Sequence, residues 1–569
     1  MINFKSICLF FGVLFGFGAL HAQIFEGNQT PEYEELVRYY QGLEDKGQLE
    51  LYQMGDSDYG LPIYLCVLNG AGDSLKTFER ARKGTTLFIN NGIHPGEPDG
   101  INACGMLTES HLKGELQIQS EITLAFVLCY NVGGAMNRGS HSRANQLGPM
   151  EYGFRGNAQN LDLNRDFIKM DSKNAFTFAR IFHALDPDLF IDTHVSNGAD
   201  YQHTMTLIYQ LEARMEPSLR QLTSNEFVPE MDRLMREQKI YVTPYVQSLK
   251  AVPDSGLVAF DDLPRYAMGY ASMFHSLSIT TETHMLKGFE QRVHATRAYL
   301  GSALAWLNKN ASKLEEAREE ALKSSKRANL FYCNFQRTEK RDSVLFMGFE
   351  HGYKKSQVTG LDRLYYDRDK PFTKYLSYYK DFRASDSIRI PSYYVVSAQC
   401  VKLIERLQAN EVQMRKVGRD TTILLSQIEI TDYESRSGPY EGHYLHSKTK
   451  YQERPVKWKL KSGDYLIPTN QNRRRFICSV LEPLAPDSYF AWNFFDSYLQ
   501  QKEYFSPYVF EDIAAELIQK NPTLKKELER RKAEDPKFAE SQWAQLYFIY
   551  QRSHYFEASY MKLPIYKIY

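Results

Sequence analysis

Four apolar runs separated by helical patterns constrain the fold of this chain more than any other feature. The runs cover residues 86–90, 122–130, 189–193 and 277–281, and helical patterns lie between them at 99–112, 172–185 and 226–238. Strands this uniformly apolar are typically buried on both faces, and their alternation with helices is typical of a sheet covered by helices. We therefore predict an α/β fold with a mixed, largely parallel sheet flanked by helices.

Polar residues follow these runs at their C-terminal ends. His94, Asn131, His194 and Glu282 each lie at or just after the end of one predicted strand. Open α/β sheets bind their ligands outside the carboxyl ends of the strands. The sequence therefore predicts a functional site at this edge of the sheet.

The loop after the first run carries His94-Pro95-Gly96-Glu97, which places an imidazole and a carboxylate three residues apart. A catalytic zinc site needs three nitrogen or oxygen ligands from the protein and one open position. His94, Glu97 and His194 supply such a set. Taken singly, each has an ordinary interpretation as a polar loop residue or a buried histidine. Taken together, they predict a site for one Zn²⁺ per chain.

The candidate ligands belong to a larger set of motifs. In chain order these are His94-Pro95-Gly96-Glu97, Asp162-Leu163-Asn164-Arg165, Ile191-Asp192-Thr193-His194 and Ile279-Thr280-Thr281-Glu282. In composition and order, over about residues 30–305, the set resembles the carboxypeptidase A family of zinc metallopeptidases. The resemblance implies a zinc carboxypeptidase-like fold and a hydrolase that removes the C-terminal residue from peptides.

The resemblance also implies roles for individual residues. Glu282 would be the general base, taking a proton from a zinc-activated water and passing it to the leaving amine. Asn164 and Arg165 would hold the terminal carboxylate of the substrate, because a guanidinium meets a carboxylate through two parallel hydrogen bonds. Asp162 would orient a zinc-bound histidine.

Three further assignments rest on the same resemblance. Arg143 would polarise the scissile carbonyl, with Arg138 as the competing choice. Tyr270 is assigned as the substrate-capping tyrosine, although Tyr266 also precedes Glu282 at a suitable distance. An acidic pair, residues 261–262, would favour a basic substrate side chain if it faced the site, but we interpret it as a solvated loop.

The length of 569 residues exceeds what one hydrophobic core accommodates, since single cores stop growing beyond roughly 250–300 residues. A charged residue, an apolar run at 7–20 and a small residue at 22 are typical of a signal peptide over residues 1–22. We assign residues 23–328 to the catalytic domain. Residues 329–569, called the accessory region below, are predicted to be β-rich or α/β to about 480–500 and then helical.

Charge and composition restrict the partners. Lys plus Arg and Asp plus Glu number 69 each, so the chain has no net field that would attract nucleic acid or an anionic membrane. The apolar run at 7–20 is short against the ~20 residues that span a bilayer. We therefore predict an exported, periplasmic or secreted protein without stable membrane insertion. Its expected partner is a peptide or murein peptide with a free carboxylate.

Three other interpretations remain open. Enzymes resembling this family cleave murein peptides as amidases or endopeptidases, or deacylate N-acyl amino acids. A protein that kept the fold and lost catalysis would be a binding protein. The full set of ligands, base and arginine favours an enzyme, whereas the absence of any Cys-x-x-Cys argues against a cysteine metal site.

Overall fold

The computed structural model describes residues 24–569, so the predicted signal peptide lies outside the described residues and stays a prediction. The strands up to the end of the first long helical segment are β1 (Glu50–Asp56), β2 (Pro62–Val67), β3 (Thr85–Asn90), β4 (Ile122–Val127), β5 (Leu189–Ser196), β6 (Met205–Tyr209), β7 (Thr243–Pro244), β8 (Leu257–Val258) and β9 (Leu277–His284). The helices are α1 (Tyr33–Glu44), α2 (Ser74–Lys83), α3 (Asp99–Leu112), α4 (Val132–Met136), α5 (Lys173–Leu185), α6 (Pro217–Leu222), α7 (Val228–Glu237), α8 (Ala267–Ser272) and α9 (Phe289–Arg327). Short 3₁₀ turns cover Leu163–Arg165, Glu212–Arg214 and Pro253–Ser255, and a π turn covers Thr223–Phe227.

An eight-stranded sheet with the order β1-β2-β4-β3-β5-β9-β6-β7 is the centre of this part of the protein. Its middle strands β4, β3, β5 and β9 run parallel, and β2 and β6 add antiparallel neighbours on either side. Every residue of β3, β4 and β5 is buried, because helices cover both faces. The predicted mixed, largely parallel sheet flanked by helices is confirmed.

Strands β5 and β9 run further than the apolar pattern predicted. His194 and Glu282 therefore lie inside their strands, near the carboxyl ends, and are direct neighbours in the parallel register. The apolar pattern predicted ends that are too early because the last residues of both strands are mostly polar. The backbones of these residues nevertheless continue the pairing of the two strands. The register brings the side chains of a candidate ligand and a candidate base to one place.

The loop that carries His94 and Glu97 is held against the sheet by the start of α3. A Cβ atom on Gly100 would lie 2.1 Å from Thr193 Oγ1, so only glycine allows this close approach of helix and strand. Next to it, Asp99 forms an ion pair with Arg292 of α9 at 3.0 Å, and both side chains are buried. These contacts place the loop at the carboxyl end of β3.

The accessory region is β-rich and then helical. Its strands are β10 (Leu330–Arg337), β11 (Asp342–Lys355), β12 (Asp362–Tyr379), β13 (Phe382–Arg389), β14 (Tyr393–Val396), β15 (Arg415–Lys416), β16 (Thr421–Ser435), β17 (His446–Leu460), β18 (Tyr465–Pro468) and β19 (Lys562–Ile568). Its helices are α10 (Val401–Ala409), α11 (Arg474–Leu481), α12 (Pro507–Lys520), α13 (Pro522–Glu534), α14 (Pro536–Ala539) and α15 (Gln542–Tyr550), with a 3₁₀ turn at Asp496–Tyr498.

The predicted helical C-terminal part is confirmed by α12 to α15, but the chain also forms a strand after these helices that the sequence pattern did not predict. After α15 it returns as β19, which pairs with β14 and β16 in the interior of a six-stranded sheet. A strand in this position is buried by its neighbours, and five consecutive residues of β19 are buried.

One continuous cluster of buried apolar side chains includes residues of both the central sheet and the accessory region, from Phe25 to Ile565. The two parts therefore share a core, and β8 also pairs with β12. The domain boundary near residue 328 stays a prediction. Within residues 24–569, no helix is both long enough and apolar enough to cross a membrane.

Candidate metal centre and catalytic site

His94, Glu97 and His194 converge at the carboxyl edge of the central sheet. Their ligand atoms all lie within 4.8 Å of one another, and all three residues are buried. Nδ1 of His94 lies 3.3 Å from Glu97 Oε1, and Nδ1 of His194 lies 3.0 Å from Glu97 Oε2. Two imidazole nitrogens and one carboxylate form a donor set that suits a catalytic zinc ion.

A carboxylate holds the opposite nitrogen of each imidazole. Nε2 of His94 lies 2.9 Å from Asp162 Oδ1, and Nε2 of His194 lies 2.6 Å from Asp192 Oδ2. A proton on each Nε2 satisfies these contacts and leaves the Nδ1 lone pairs directed at the centre. Nδ1 of His94 is buried and has no hydrogen-bond partner within residues 24–569. An orphaned nitrogen between a carboxylate and a second imidazole fits a metal ligand, and such outer carboxylates raise ligand basicity.

The charges in this cluster depend on one another. Burial opposes ionisation of Glu97, but His94 and Arg143 outweigh it and hold the pKa of Glu97 well below its usual range. Burial likewise opposes protonation of His194, but Asp192 and Glu97 outweigh it and raise the pKa of His194 well above its usual range. A proton and a metal ion compete for the same nitrogen, so metal binding at this site releases protons.

Glu282 lines the same cavity, one strand away from His194. Its side chain is partly buried, and this burial raises the pKa of Glu282 to about 8, with His194 acting in the opposite direction. A carboxyl group with a raised pKa beside a metal site is suited to accept and return a proton near neutral pH.

The cavity at this edge of the sheet measures about 580 Å³. Besides the three candidate ligands and Glu282, its walls include Arg143, Arg155, Asn164, Arg165, Ile208, Tyr245, Phe260, Asp262, Tyr266 and Thr280. Residues from several separate stretches of the chain therefore face one space large enough for a small peptide end.

The solved structures that this chain resembles in fold are metallocarboxypeptidases. A metallocarboxypeptidase from Burkholderia cenocepacia is 16% identical over 49% of this chain and 70% of its own, with a TM-score of 0.34. A metallocarboxypeptidase from Pseudomonas aeruginosa is 16% identical over 49% and 69%, also with a TM-score of 0.34. Carboxypeptidase A from Helicoverpa armigera is 15% identical over 52% and 75%, with a TM-score of 0.34. No protein-family model and no curated protein matches the sequence. At these TM-scores the likeness supports no conclusion about chemistry, so function is argued below from the site.

Arg143 reaches the centre from the loop after α4. It donates to Glu97 Oε1 at 2.8 Å, to the carbonyl of Val195 at 3.1 Å and to Gln146 at 2.7 Å. The competing candidate Arg138 instead donates to the carbonyl of Thr30 at 2.7 Å and does not line the cavity. Of the two, only Arg143 lines the cavity.

Arg155 is a cation that the sequence motifs did not indicate. Its Nε donates to Asp162 Oδ2 at 2.9 Å, and a terminal nitrogen lies 3.5 Å from Glu97 Oε1. Its side chain is 45% exposed, against 12% for Arg143, so Arg155 is the more accessible of the two cations. Arg155 lies between two motifs and belongs to neither, so nothing in a single sequence indicates that it lines the site.

Asn164 and Arg165 lie on the 3₁₀ turn that Asp162 caps, with Asp162 Oδ1 accepting from the backbone of Asn164 at 2.9 Å. The Arg165 guanidinium stacks over the ring of Tyr266 at 4.5 Å and lies 3.8 Å from Asp162. One face of the guanidinium is thus covered by an aromatic ring, its Nη1 donates to the carbonyl of Asn164 at 2.7 Å, and the side chain lines the cavity.

The assignment of Tyr270 is wrong. Its side chain is buried in the core, and its hydroxyl donates to Asn410 at 2.6 Å and lies 3.2 Å from His183 Nε2. Tyr270 is inside α8, on the face that packs inward, whereas Tyr266 precedes the helix in an extended conformation and reaches the cavity. Tyr245, from a segment without a motif, also lines the cavity.

The interpretation of residues 261–262 as a solvated loop is also wrong for Asp262. Asp261 pairs with Arg214 at 2.6 Å, but Asp262 is 5% exposed and lines the cavity. Burial, reinforced by Asp192, raises the pKa of Asp262 well above its usual range. Within residues 24–569 no cationic side chain lies within 4.0 Å of the Asp262 carboxyl group, so no direct ion pair opposes this rise in pKa.

Proposed function

We propose that this protein is a zinc-dependent metallocarboxypeptidase that hydrolyses the C-terminal peptide bond of peptides. The observation that supports this function best is a single cavity that combines the His94, Glu97 and His194 donor set with Glu282 and Arg165. The first group suits a metal ion, the second a proton transfer, and the third a substrate carboxylate.

His94 Nδ1, His194 Nδ1 and a carboxylate oxygen of Glu97 would hold one zinc ion. When bound, zinc supplies Lewis acidity, which lowers the pKa of water to about 7 and polarises a carbonyl oxygen. Asp162 and Asp192 hold the two imidazoles in the tautomer that this binding requires.

Glu282 would act as the general base and then as the acid that protonates the leaving amine. Its burial supports this role, because a raised pKa lets the same carboxyl group accept and release a proton near neutral pH. Arg143 and Arg155 would donate to the oxyanion that develops on the scissile carbonyl, since both guanidinium groups already lie beside Glu97.

Asn164 and Arg165 would bind the free carboxylate of the last substrate residue, which makes the enzyme an exopeptidase. The side chain of that residue would then extend into the space lined by Ile208, Thr280 and Asp262. A buried carboxylate without a cationic partner favours a basic side chain there, so we propose a preference for C-terminal lysine or arginine.

The test combines metal analysis with product analysis. Purified protein is incubated with peptides that end in lysine, arginine or leucine and with a murein digest, and mass spectrometry identifies the products. We expect about one zinc per chain and loss of single C-terminal residues. A folded, zinc-free and inactive preparation would overturn the proposal. Internal cleavage or deacylation would point to a murein endopeptidase or deacylase.

Glu282→Gln is the decisive variant, with the exposed Glu290→Gln as the matched control. The first variant should retain zinc and lose hydrolysis, because the amide cannot accept the proton. Turnover by Glu282→Gln at the control rate would remove Glu282 from its role.

A further inference from the structure

A tight turn of the accessory region lies against the motif that carries Asp162 and Arg165. The turn is formed by Tyr440, Glu441, Gly442 and His443, and its ends pair through two backbone hydrogen bonds of 2.7 and 3.0 Å. It reaches the catalytic part of the chain across 279 residues of sequence, where Glu441 accepts a hydrogen bond from the backbone amide of Asp162 at 2.8 Å. We call it the 440–443 turn.

The backbone of the 440–443 turn is unusual for its sequence. Glu441 has φ +50° and Gly442 has φ +80°, as in a type I′ turn. Asparagine, aspartate or glycine normally occupies the first of these positions, and a glutamate there is strained. A strained residue persists only where its surroundings hold it, and such residues cluster at functional sites.

Tyr440 is the second residue of the turn that lies near the motif. The Arg265 guanidinium lies 5.7 Å from the centre of its ring, and Tyr440 is close enough to Arg165 to act on the pKa of that guanidinium, against the lowering effect of burial. Its ring stacks on Trp492 with the centroids 6.0 Å apart and the planes 16° apart. Tyr440 is therefore held by the accessory region on one side and lies near Arg165, the candidate carboxylate-binding arginine, on the other.

His443 fixes the far end of the turn through a contact of 2.7 Å between its Nε2 and Asp171. The turn thus contacts the segment after β4 at two points, the Asp162 amide and the Asp171 carboxylate, and places Tyr440 near Arg165 between them. A loop that served only to cover the core would not need to place a carboxylate on one backbone amide.

Through these contacts the turn is connected to two residues of the proposed active site, His94 and Arg165. Asp162 holds His94 Nε2 at 2.9 Å, so Glu441 is one residue removed from a candidate metal ligand. Arg165 stacks on the ring of Tyr266 and has Tyr440 as a further neighbour, so Tyr440 is placed to limit the directions in which the guanidinium can turn. In both cases a residue of the accessory region is connected to a side chain that lines the cavity, His94 in the first and Arg165 in the second.

We propose that the 440–443 turn is a positioning element of the active site, with Tyr440 orienting Arg165 toward the substrate carboxylate and Glu441 fixing Asp162 behind His94. This inference rests on the proposed carboxypeptidase function. It makes the accessory region a part of the working site, because the catalytic part alone would leave the Asp162 amide and one side of Arg165 without these partners.

The test uses the full-length chain with Tyr440→Phe, Glu441→Ala and Glu441→Gln. The matched controls are Tyr444→Phe and Glu434→Gln, which remove a hydroxyl and a carboxylate from exposed side chains of the same hairpin. Each variant is measured for kcat and KM on a free-acid peptide, for inhibition by a peptide acid and by its C-terminal amide, for zinc content and for thermal unfolding.

Tyr440→Phe should raise KM and weaken inhibition by the peptide acid roughly tenfold, the size expected for one hydrogen bond to a charged group. Its kcat and its inhibition by the amide should match those of Tyr444→Phe. Glu441→Ala should lose zinc more readily, whereas Glu441→Gln should restore retention because its amide oxygen still accepts from Asp162.

A purely structural turn predicts a different result. All variants would then change only in thermal unfolding, or acid and amide would weaken equally, and either outcome would overturn the inference while leaving the proposed function intact. A wild-type protein that removes no C-terminal residue overturns both, and this is seen before any variant is compared.

Discussion

Arg165 provides the sharpest test of how the substrate is recognised. We expect Arg165→Met and amidation of the substrate C-terminus to remove the same interaction, the paired hydrogen bonds between guanidinium and carboxylate. Methionine keeps much of the length and apolar volume of the arginine stem, so the ring of Tyr266 retains a partner. The exposed Arg341→Met serves as the control.

The magnitude follows from the surroundings of the guanidinium. The Arg165 side chain is only 19% exposed and is stacked on Tyr266 at 4.5 Å, so water competes weakly for it. Hydrogen bonds to charged groups contribute about 1.5–3 kcal/mol each. Two such bonds in this setting amount to about 3–4 kcal/mol, or roughly a 10²- to 10³-fold loss in kcat/KM.

The assay is a cycle of four kcat/KM values, for wild type and Arg165→Met on a peptide acid and on its amide. Either change alone, the substitution or the amidation, should lower kcat/KM by the full factor, roughly 10²- to 10³-fold. Both changes together should lower kcat/KM by no more than about three times as much as one change alone. Thermal unfolding checks that the variant is folded. Two losses that multiply would show that Arg165 does not contact the carboxylate and would refute the assignment.

Three further outcomes are expected. Asp192→Asn should weaken zinc binding about 10- to 100-fold in competition with a chelator, because Asp192 holds His194 at 2.6 Å; unchanged affinity would contradict this. Asp262→Asn should lower the ratio of kcat/KM for lysine-ending over leucine-ending peptides by roughly tenfold, since a charged contact is lost, and an unchanged ratio would exclude Asp262 from the side-chain pocket. Arg292→Met should lower the free energy of unfolding by about 3–5 kcal/mol in denaturant titrations, because Asp99 stays buried without its partner; a change below 1 kcal/mol, about the surface-mutation range, would show that the pair is dispensable.

The accessory region changes how the active site is understood. Its six-stranded sheet shares a core with residues 24–328, and its 440–443 turn contacts Asp162, which holds the candidate metal ligand His94. Truncation at about residue 328 would therefore expose part of a continuous core and remove Glu441 from Asp162. An experiment on the isolated catalytic part would test stability and positioning together, which is why single substitutions are preferred.

Local sequence pattern accounts for much of the architecture. Uniformly apolar runs mark strands buried on both faces, so the parallel centre of the sheet was predictable from residues 86–90, 122–130, 189–193 and 277–281. Because carboxyl ends of parallel strands lie at one edge, the same pattern predicted that His94, His194 and Glu282 would meet there. The structure does bring them together.

Other features depended on contacts that no local pattern carries. The choice between Tyr266 and Tyr270 depends on where α8 begins, since a residue just before a helix and one inside it face different directions. Asp262 looked like part of a polar loop, and its burial results from packing against distant strands. Strand β19 was missed because its pairing partners β14 and β16 lie more than a hundred residues earlier.

The sequence by itself thus determined the fold class, the edge of the sheet at which the candidate site lies, and the residues that we propose to hold a metal ion and move a proton. Only the tertiary structure decided which aromatic, basic and acidic side chains complete the cavity, and that Glu441 meets Asp162 across 279 residues. The physical reason is the distance along the chain over which the interactions act. Strands and helices follow from hydrophobic periodicity over a few neighbouring residues, whereas the position of a single side chain depends on how distant segments pack.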